Sequence, residues 1–314
     1  MAVTVYSSTD ASAPTLTGQV GSLTALLDAV LVNGYGTKPA AGWTRAYNGT
    51  NKSAYLQAAN LARHYFRVED AASGTVTLAR EARIKCYEAM TTIDVGTGPY
   101  PTSTTYYYVT KSASVDATAR PWVVVADQYT MYMFVKTGQF PGWSGFSFGN
   151  YFRLDAAFAM GNLLIGRVTA DVLTSIDNLA LLSSVGTAVA GHLAPRSWQP
   201  GAPIGSVMGL SKHGDGVKGS ASGLSGVISY PNGPSAGIVL SQVWLTEPYT
   251  TVGHVLGRMR GFWQICHPMG AAINDGDTFS GTGALAGKTF LVLKPDVLGT
   301  SYFCLETSNT WETN

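Results

Sequence analysis

The sequence carries little charge. Asp, Glu, Lys and Arg make up 12% of the chain, about half of their usual share in a soluble domain. The 20 basic and 19 acidic residues are scattered along the chain and nearly cancel. A nucleic-acid-binding protein has clustered Lys and Arg, so this class is disfavoured. So few like charges do little to oppose association, which favours a chain packed against copies of itself or other proteins.

Cysteines and long apolar runs are also scarce. Cys86, Cys266 and Cys304 are widely spaced and form no CxxC motif, so we expect buried, reduced thiols and no disulfide framework. No run of 18 or more apolar residues predicts a membrane span. Residues 1–14 lack the charged and apolar regions of a signal peptide. We therefore expect a protein made in a reducing cytoplasm, with no membrane partner.

Motifs for nucleophilic catalysis are missing. The sequences GWSG (142–145) and GLSG (223–226) lack the second spacer residue of a GxSxG nucleophile elbow, and no glycine loop for phosphates is present. Cys266 and His267 are adjacent, and on a strand such neighbours point to opposite faces. A carboxylate pair for glycoside hydrolysis stays open, because such pairs come from distant strands.

Metal-binding patterns are equally weak. Asp275 and Asp277 in NDGDT loosely resemble a calcium loop, but the further carboxylate that such a loop needs about twelve positions along is missing. A hairpin turn explains the motif better. His213 and Asp215 lie in a glycine-rich stretch, where isolated polar residues are usually solvated. We predict no catalytic residue, no metal site and no cofactor.

One amphipathic helix stands out near the start of the chain. Seven apolar residues recur at helical spacing, namely Leu16, Val20, Leu23, Leu26, Leu27, Val30 and Leu31. Pro14 and Thr15 supply start signals, and Asn33-Gly34 supply the stop, since glycine accepts a left-handed conformation. We predict a helix over about residues 16–33 that covers a sheet face or a neighbouring subunit.

Most of the remaining chain has the alternation and the β-branched or aromatic residues of strands. The predicted strand segments are 63–70, 82–90, 105–112, 161–168, 237–247 and 253–266, with hairpins at 120–138 and 288–307. Residues 170–193 are ambiguous and could hold a second short helix. With 36 glycines, these short strands predict a single mainly β unit over 1–314. We expect sandwich- or barrel-like antiparallel sheets with long Gly/Ser/Pro-rich loops.

Two segments have neither the spacing of a helix nor the alternation of a strand. Residues 1–14 are predicted to form an N-terminal arm that reaches a neighbour. Residues 195–237 are dominated by Gly, Ser and Pro, and a compact domain rarely keeps about 40 irregular residues without a use. We predict that they form an interaction loop or arm, because a partner must offset the entropy of ordering them.

Five tyrosines are candidates for aromatic contacts: Tyr106, Tyr107, Tyr108, Tyr129 and Tyr132. Tyr106 and Tyr108 would share a strand face, as a sugar-binding platform requires, whereas Tyr129 and Tyr132 would not. Aromatic strand residues more often build core and subunit contacts. We favour that interpretation, with a host surface glycan as the alternative ligand.

Several blocks of the sequence resemble a known family. They are SSTDASAPTLTGQVGSLTALLDAVLVNGYG, AGWTRAYNGTNKSAYLQ, FRVED, ARIKCYEAMT, VGTGPYPT, RPWVVVAD, GRMRGFWQICHP, NDGDTF, FLVLK and FCLETSNTW. Together they resemble a group of tailed-bacteriophage virion structural proteins, most weakly over 195–237. The resemblance implies a place in the virion, assembly in the bacterial host cytoplasm, and copies of itself and other virion proteins as partners. It implies no catalytic residue.

The resemblance leaves the position in the particle open. We expect the tail, baseplate or neck, and a capsid-decorating protein is the alternative within the same class. A receptor- or glycan-binding module is the hypothesis from another class, and a glycan-degrading enzyme ranks third. Binding to cells, hydrolysis, or assembly without either would separate these classes.

Overall fold

The computed structural model describes residues 2–60, 63–72, 78–139, 142–154, 161–167, 209–211, 234, 236–249, 252–266, 273–294 and 302–313. Within these residues the chain is mainly β, with antiparallel strand pairing and a single short helix. The helix is α1 (Ser22–Leu27), which continues as a π-helical turn over Asp28–Asn33.

The described strands, in chain order, are β1 (Thr4–Ser7), β2 (Thr44–Gly49), β3 (Lys52–Leu56), β4 (Tyr65–Glu69), β5 (Glu81–Tyr87), β6 (Ala89–Thr92), β7 (Val95–Thr97), β8 (Tyr107–Thr110), β9 (Trp122–Ala126), β10 (Thr130–Val135), β11 (Ser144–Asn150), β12 (Phe152–Arg153), β13 (Asn162–Ile165), β14 (Gly209–Ser211), β15 (Leu240–Tyr249), β16 (Val252–Ile265), β17 (Thr278–Ser280), β18 (Thr289–Leu293) and β19 (Tyr302–Glu306). Each segment predicted as a strand contains one. The two predicted hairpins are confirmed as the β9–β10 and β18–β19 pairs. The ambiguous segment 170–193 lies outside the described residues.

Three larger sheets organise these strands. The central sheet has the order β1-β9-β10-β11-β13, and the second sheet has the order β2-β3-β4-β5-β8. The third sheet has the order β14-β15-β16-β19-β18-β17, with β12 paired to β16. Each of these sheets keeps two edge strands within the described part, so the barrel-like alternative does not form there.

The central sheet is buried on both faces. All six residues of β10 are buried, and alternate side chains belong to different clusters. Met131 and Met133 belong to the cluster shared with the second sheet and α1. Tyr132 and Phe134 belong to the cluster shared with the third sheet. Continuous apolar runs such as those of β9 and β10 are what double burial requires.

Aromatic rings fill both clusters. Phe66 of the second sheet stacks on Phe148 of the central sheet, with 5.1 Å between the ring centroids. On the other face, the rings of Tyr132 and Phe262 are 5.5 Å apart. Burying each large apolar side chain contributes about 1.5–3 kcal/mol, so these contacts supply much of the adhesion between sheets.

The helix is shorter than the sequence predicts. Helical structure covers only Ser22–Asn33, so the predicted bounds of 16–33 are wrong at the start. Leu16 forms an isolated bridge with Arg120 in extended backbone. Gly21, with a φ of 83°, precedes the helix. Its left-handed backbone ends the extended segment and is easily adopted only by glycine.

The apolar stripe is correct except at one position. Six of its members are fully buried: Leu16, Leu23, Leu26, Leu27, Val30 and Leu31. Val20 is 40% exposed, so its assignment to the packing face is wrong. It lies before the first helical residue, where helical spacing no longer determines the direction of a side chain.

The N-terminal arm is also a wrong prediction. All four residues of β1 pair with β9 at an edge of the central sheet. The Val3 N–H donates to the Asn309 carbonyl at 2.9 Å. Only Tyr6 of β1 is fully buried, so no alternating apolar face marks this segment as a strand in the sequence. Of the second predicted arm, 195–237, only 209–211, 234 and 236–237 are described.

The three cysteines are buried and none of them forms a disulfide, as predicted. Burial raises the pKa of the Cys86 and Cys304 thiols well above the usual value. A raised pKa keeps the thiol protonated, and a protonated thiol is a poor nucleophile. These two side chains therefore act as small apolar groups.

Candidate functional site

A narrow, shallow cleft opens on the third sheet, beside residues 306–312. Strands β12, β15, β16, β18 and β19 lie around it. The side chains that give the cleft its chemistry are Phe152, Gln242, Arg258, Trp263, Lys288, Glu306 and Glu312. It combines aromatic rings with hydrogen-bonding groups that protein partners hold in place.

Arg258 is the organising side chain of the cleft. It lies opposite Phe152 in the strand register, and its guanidinium carbon lies 4.4 Å from the centre of that ring. Arg258 Nη1 donates to Gln242 Oε1 at 2.9 Å, and Nη2 pairs with the Glu312 carboxylate. Since Arg258 has partners on three segments, the planar group is held in one orientation.

Lys288 and Glu306 form the other polar wall. The lysine Nζ donates to both carboxylate oxygens of Glu306, at 3.0 and 2.8 Å. Glu306 is buried, and the Ser308 hydroxyl donates to it at 3.0 Å. Both carboxylates of the cleft are therefore paired with cations, Glu306 with Lys288 and Glu312 with Arg258.

The predicted tyrosines do not come together. Tyr107 belongs to the cluster shared by the central and second sheets, and Tyr132 to the cluster shared by the central and third sheets. The Tyr132 hydroxyl donates to the Arg260 carbonyl at 2.8 Å, and burial raises the pKa of this phenol. The core interpretation is confirmed for these two residues, and a platform that includes them is excluded.

The other three tyrosines lie near cations. Tyr106 is half-buried beside the outer face of the second sheet, with its ring 4.2 Å from the guanidinium carbon of Arg83. Tyr108 lies opposite Arg83 in the strand register and is buried. Tyr129 lies in the β9–β10 turn, 5.7 Å from the guanidinium carbon of Arg260. Of these, only Tyr106 and Tyr129 keep some exposed surface.

The NDGDT motif forms a turn. Asp277 accepts a hydrogen bond from the Asn274 N–H at 2.6 Å. Asp275 accepts from Lys136 Nζ at 2.7 Å and from Trp143 Nε1 at 2.6 Å. Protein donors thus engage both carboxylates, which explains the motif without calcium.

Other motifs are only partly described. Ser144 of GWSG is buried at the start of β11, and Cys266 is buried at the end of β16. His267, the pair His213 and Asp215, and the GLSG motif lie outside the described residues.

In the described part of the chain, no cluster of three or more His, Cys, Asp or Glu side chains could hold a metal ion. Over the same ranges, no helix has the length and apolarity needed to cross a membrane.

Sequence reasoning missed the buried ion pairs. Three of them connect separate elements: Asp70–Lys111, Glu81–Arg167 and Asp127–Arg260. The signal was present as single Asp, Glu, Lys and Arg residues within otherwise apolar strands. Such residues are almost never fully buried unless they are paired, but the sequence does not identify the partner.

The Asp70–Lys111 pair fixes the start of α1. Asp70 Oδ2 accepts the Leu23 N–H at 2.7 Å, and Lys111 Nζ donates to Asp70 Oδ1 and to the Gln19 carbonyl. Burial raises the pKa of the Asp70 carboxyl, and the Lys111 ammonium opposes that rise. The carboxylate satisfies one of the free N–H groups at the helix start, so this pair is structural.

Comparison with protein families and curated proteins assigns no family to the chain. No protein-family model matches the chain. No curated protein matches it either.

Proposed function

We propose that the chain is a structural, oligomeric component of a tailed-bacteriophage virion, in the tail, baseplate or neck. The observation that carries this proposal is the location of the few charges. The sequence has 20 basic and 19 acidic residues, and eleven of them are buried in the described part. The surface is therefore even poorer in charge than the composition indicates, which favours association with copies and partners.

The packing of the sheets supports a subunit of fixed shape. The central sheet shares one cluster with the second sheet and another with the third, and we propose that the layers form a sandwich-like stack. Arg260 of the third sheet pairs with Asp127 of the central sheet. Arg167, next to β13, pairs with Glu81 of the second sheet. Sheets that are joined by buried ion pairs suit a subunit that stays in a shell or tube permanently.

The outer face of the third sheet is the proposed subunit contact. Ile265, Phe290 and Val292 form an apolar cluster there, and Trp263 and Phe279 pack against it while keeping exposed surface. Ile265, Phe290 and Val292 are themselves fully buried, so the apolar surface open to a neighbour is the exposed part of the Trp263 and Phe279 rings. A stable contact buries about 1,200–2,000 Å² in total, so this face would supply only part of the interface.

Sedimentation velocity of the full-length chain over a range of concentrations tests the proposal. We expect oligomers from the parent chain and a shift towards monomer for Phe279→Glu. Thr278→Glu is the matched control, because Thr278 is exposed on the same strand and points to the other face. A parent chain that stays monomeric and does not enter particles contradicts the proposal. A map of the intact particle separates the tail, baseplate or neck from the capsid-decorating alternative.

The cleft on the third sheet favours a second candidate, a glycan-binding module at the particle surface. Phe152 and Trp263 offer ring surface, and Arg258 and Gln242 offer planar hydrogen-bonding groups. Binding of the chain to host cells or purified surface polysaccharide tests it, with Arg258→Ala as the cleft variant and Thr278→Ala as the control. Binding that survives Arg258→Ala contradicts a role for the cleft. Hydrolysis that is lost in Glu306→Gln would favour an enzyme instead.

A further inference from the structure

Two buried cations face each other on the outer side of the second sheet. Arg67 on β4 and Lys85 on β5 are directly opposed in the strand register, and each is 1% exposed. Like charges at opposed positions destabilise a sheet. Burial increases the cost, because water no longer solvates the charged groups.

The nearby carboxylates bind other cations. Glu69 accepts from Arg67 Nη2 at 2.8 Å and from Arg83 Nε at 2.8 Å. Asp94 accepts from Arg67 Nε and from Lys52 Nζ, each at 3.0 Å. Three cations thus share two carboxylates, and among the described residues no carboxylate forms an ion pair with Lys85.

The groups that do contact Lys85 carry no net charge. Its Nζ donates to the Ser103 carbonyl at 2.9 Å and lies 3.8 Å from the centre of the Tyr106 ring. A ring face attracts a cation weakly. Arg67 Nη1 is buried and has no acceptor in the described part of the structure. A water molecule could accept one hydrogen bond from Arg67 Nη1, but it would leave the positive charge of Lys85 without a carboxylate partner.

We propose that this cluster binds one tetrahedral oxyanion, phosphate or sulfate, through Lys85 and Arg67, with Arg83 at the edge and Tyr106 as the cover. Ammonium and guanidinium groups are the donors that proteins use for such anions. Ser103 and Tyr106 lie in or next to the exposed stretch 102–105. Tyr106 precedes β8 and is not part of the β5–β8 register, so a shift of its ring would not break that pairing. The site does not depend on a place in a virion.

Isothermal titration calorimetry of the full-length chain tests the site. The titrants are sodium sulfate and sodium phosphate, with ionic strength held constant by sodium chloride. We expect one bound anion per chain and at least tenfold weaker binding for Lys85→Met and Lys85→Gln. Lys136→Met is the control, because it removes a lysine that already has a carboxylate partner in Asp275, and we expect it to bind as the parent does.

Glucose 1-phosphate as a further titrant separates two sources of the anion. Binding of the ester as tightly as free phosphate indicates a group carried on a sugar, whereas binding of phosphate alone indicates the free ion. The proposal is overturned if the parent binds neither anion, or if the Lys85 variants bind undiminished. If the Lys85 variants do not fold, the thermal unfolding temperature of the parent chain, measured with and without sulfate, tests the site instead. We expect its Tm to rise at low sulfate concentration, as binding to one site requires, whereas the general stabilising effect of sulfate grows only at high concentration. A Tm that responds only at high sulfate concentration contradicts the site.

Discussion

Asp127 and Arg260 form a buried ion pair between the β9–β10 turn and β16, with 2.6 Å between Asp127 Oδ2 and Arg260 Nη2. The same carboxylate accepts the N–H groups of Tyr129 and Thr130, each at 2.8 Å. A single side chain therefore both shapes the hairpin turn and joins the central sheet to the third sheet.

Removing the cation of this pair should be costly. Arg260→Ala leaves a buried carboxylate without its ion partner, which typically costs about 3–5 kcal/mol of unfolding free energy. Arg258→Ala, on the same strand, breaks a partly exposed pair and should cost about 1 kcal/mol or less. Urea denaturation of both variants checks the difference. Equal losses would show that Asp127–Arg260 does not hold the sheets together.

The packing of α1 gives a second matched comparison. Leu27 is fully buried, whereas Val20 is 40% exposed. Leu27→Ala should cost about 2–5 kcal/mol, because it leaves a cavity between the helix and the sheets. Val20→Ala should change stability by about 0.5 kcal/mol or less. Chemical denaturation measures both, and an unaffected Leu27→Ala protein would exclude α1 as a packing element.

Truncation of the N terminus should harm folding itself. Deleting residues 1–8 removes β1, with four paired residues and the fully buried Tyr6. It also exposes the backbone edge of β9, which becomes a site for pairing with other chains. We expect a loss of soluble protein and a lower Tm by circular dichroism. Deleting residues 1–2 is the control and should leave both unchanged. A fully stable 1–8 deletion would restore the interpretation of this segment as an arm.

Lys85 should make stability depend on alkaline pH. Burial, with help from Arg67 and Arg83, lowers the pKa of Lys85 from 10.5 to about 8. Between these values the unfolded chain binds more protons than the folded chain, so the contribution of Lys85 to stability rises as pH increases from about 8 to 10.5. Urea denaturation of the parent and Lys85→Met from pH 7 to 10 isolates this effect. A parent-to-variant difference that stays constant with pH would contradict it.

The sequence predicts most strands of this fold because their apolar and β-branched runs are long enough to be distinctive. β9, β10 and β18 are found where the pattern places them. β1, β2, β3 and β11 escape prediction because Gly, Ser, Thr, Asn, Lys and Arg interrupt their apolar residues. The start of α1 escapes because its cap, Asp70, lies 47 residues beyond Leu23. Pro14 and Thr15 supply local start signals that tertiary contacts override.

The cleft and the ion pairs could not be predicted for a related reason. Asp127 and Arg260 are separated by 133 positions, and the cleft draws residues from 152 to 312. Spacing rules relate residues within one helix or one strand pair, whereas these contacts depend on how the sheets pack. The pairing of Arg67 with Lys85 depends on the β4–β5 register, which a slip by one residue would abolish.

The position of β10 has a consequence for the order in which the protein opens. Because its alternate side chains belong to two different clusters, neither outer layer can separate without exposing one of its faces. Local opening at the edge strands β2 or β17 leaves β10 protected, so its amide hydrogens exchange with solvent only when the whole unit unfolds. The slowest amides of β10 would therefore report the global free energy of unfolding, residue by residue, in the free protein and in any assembly that contains it.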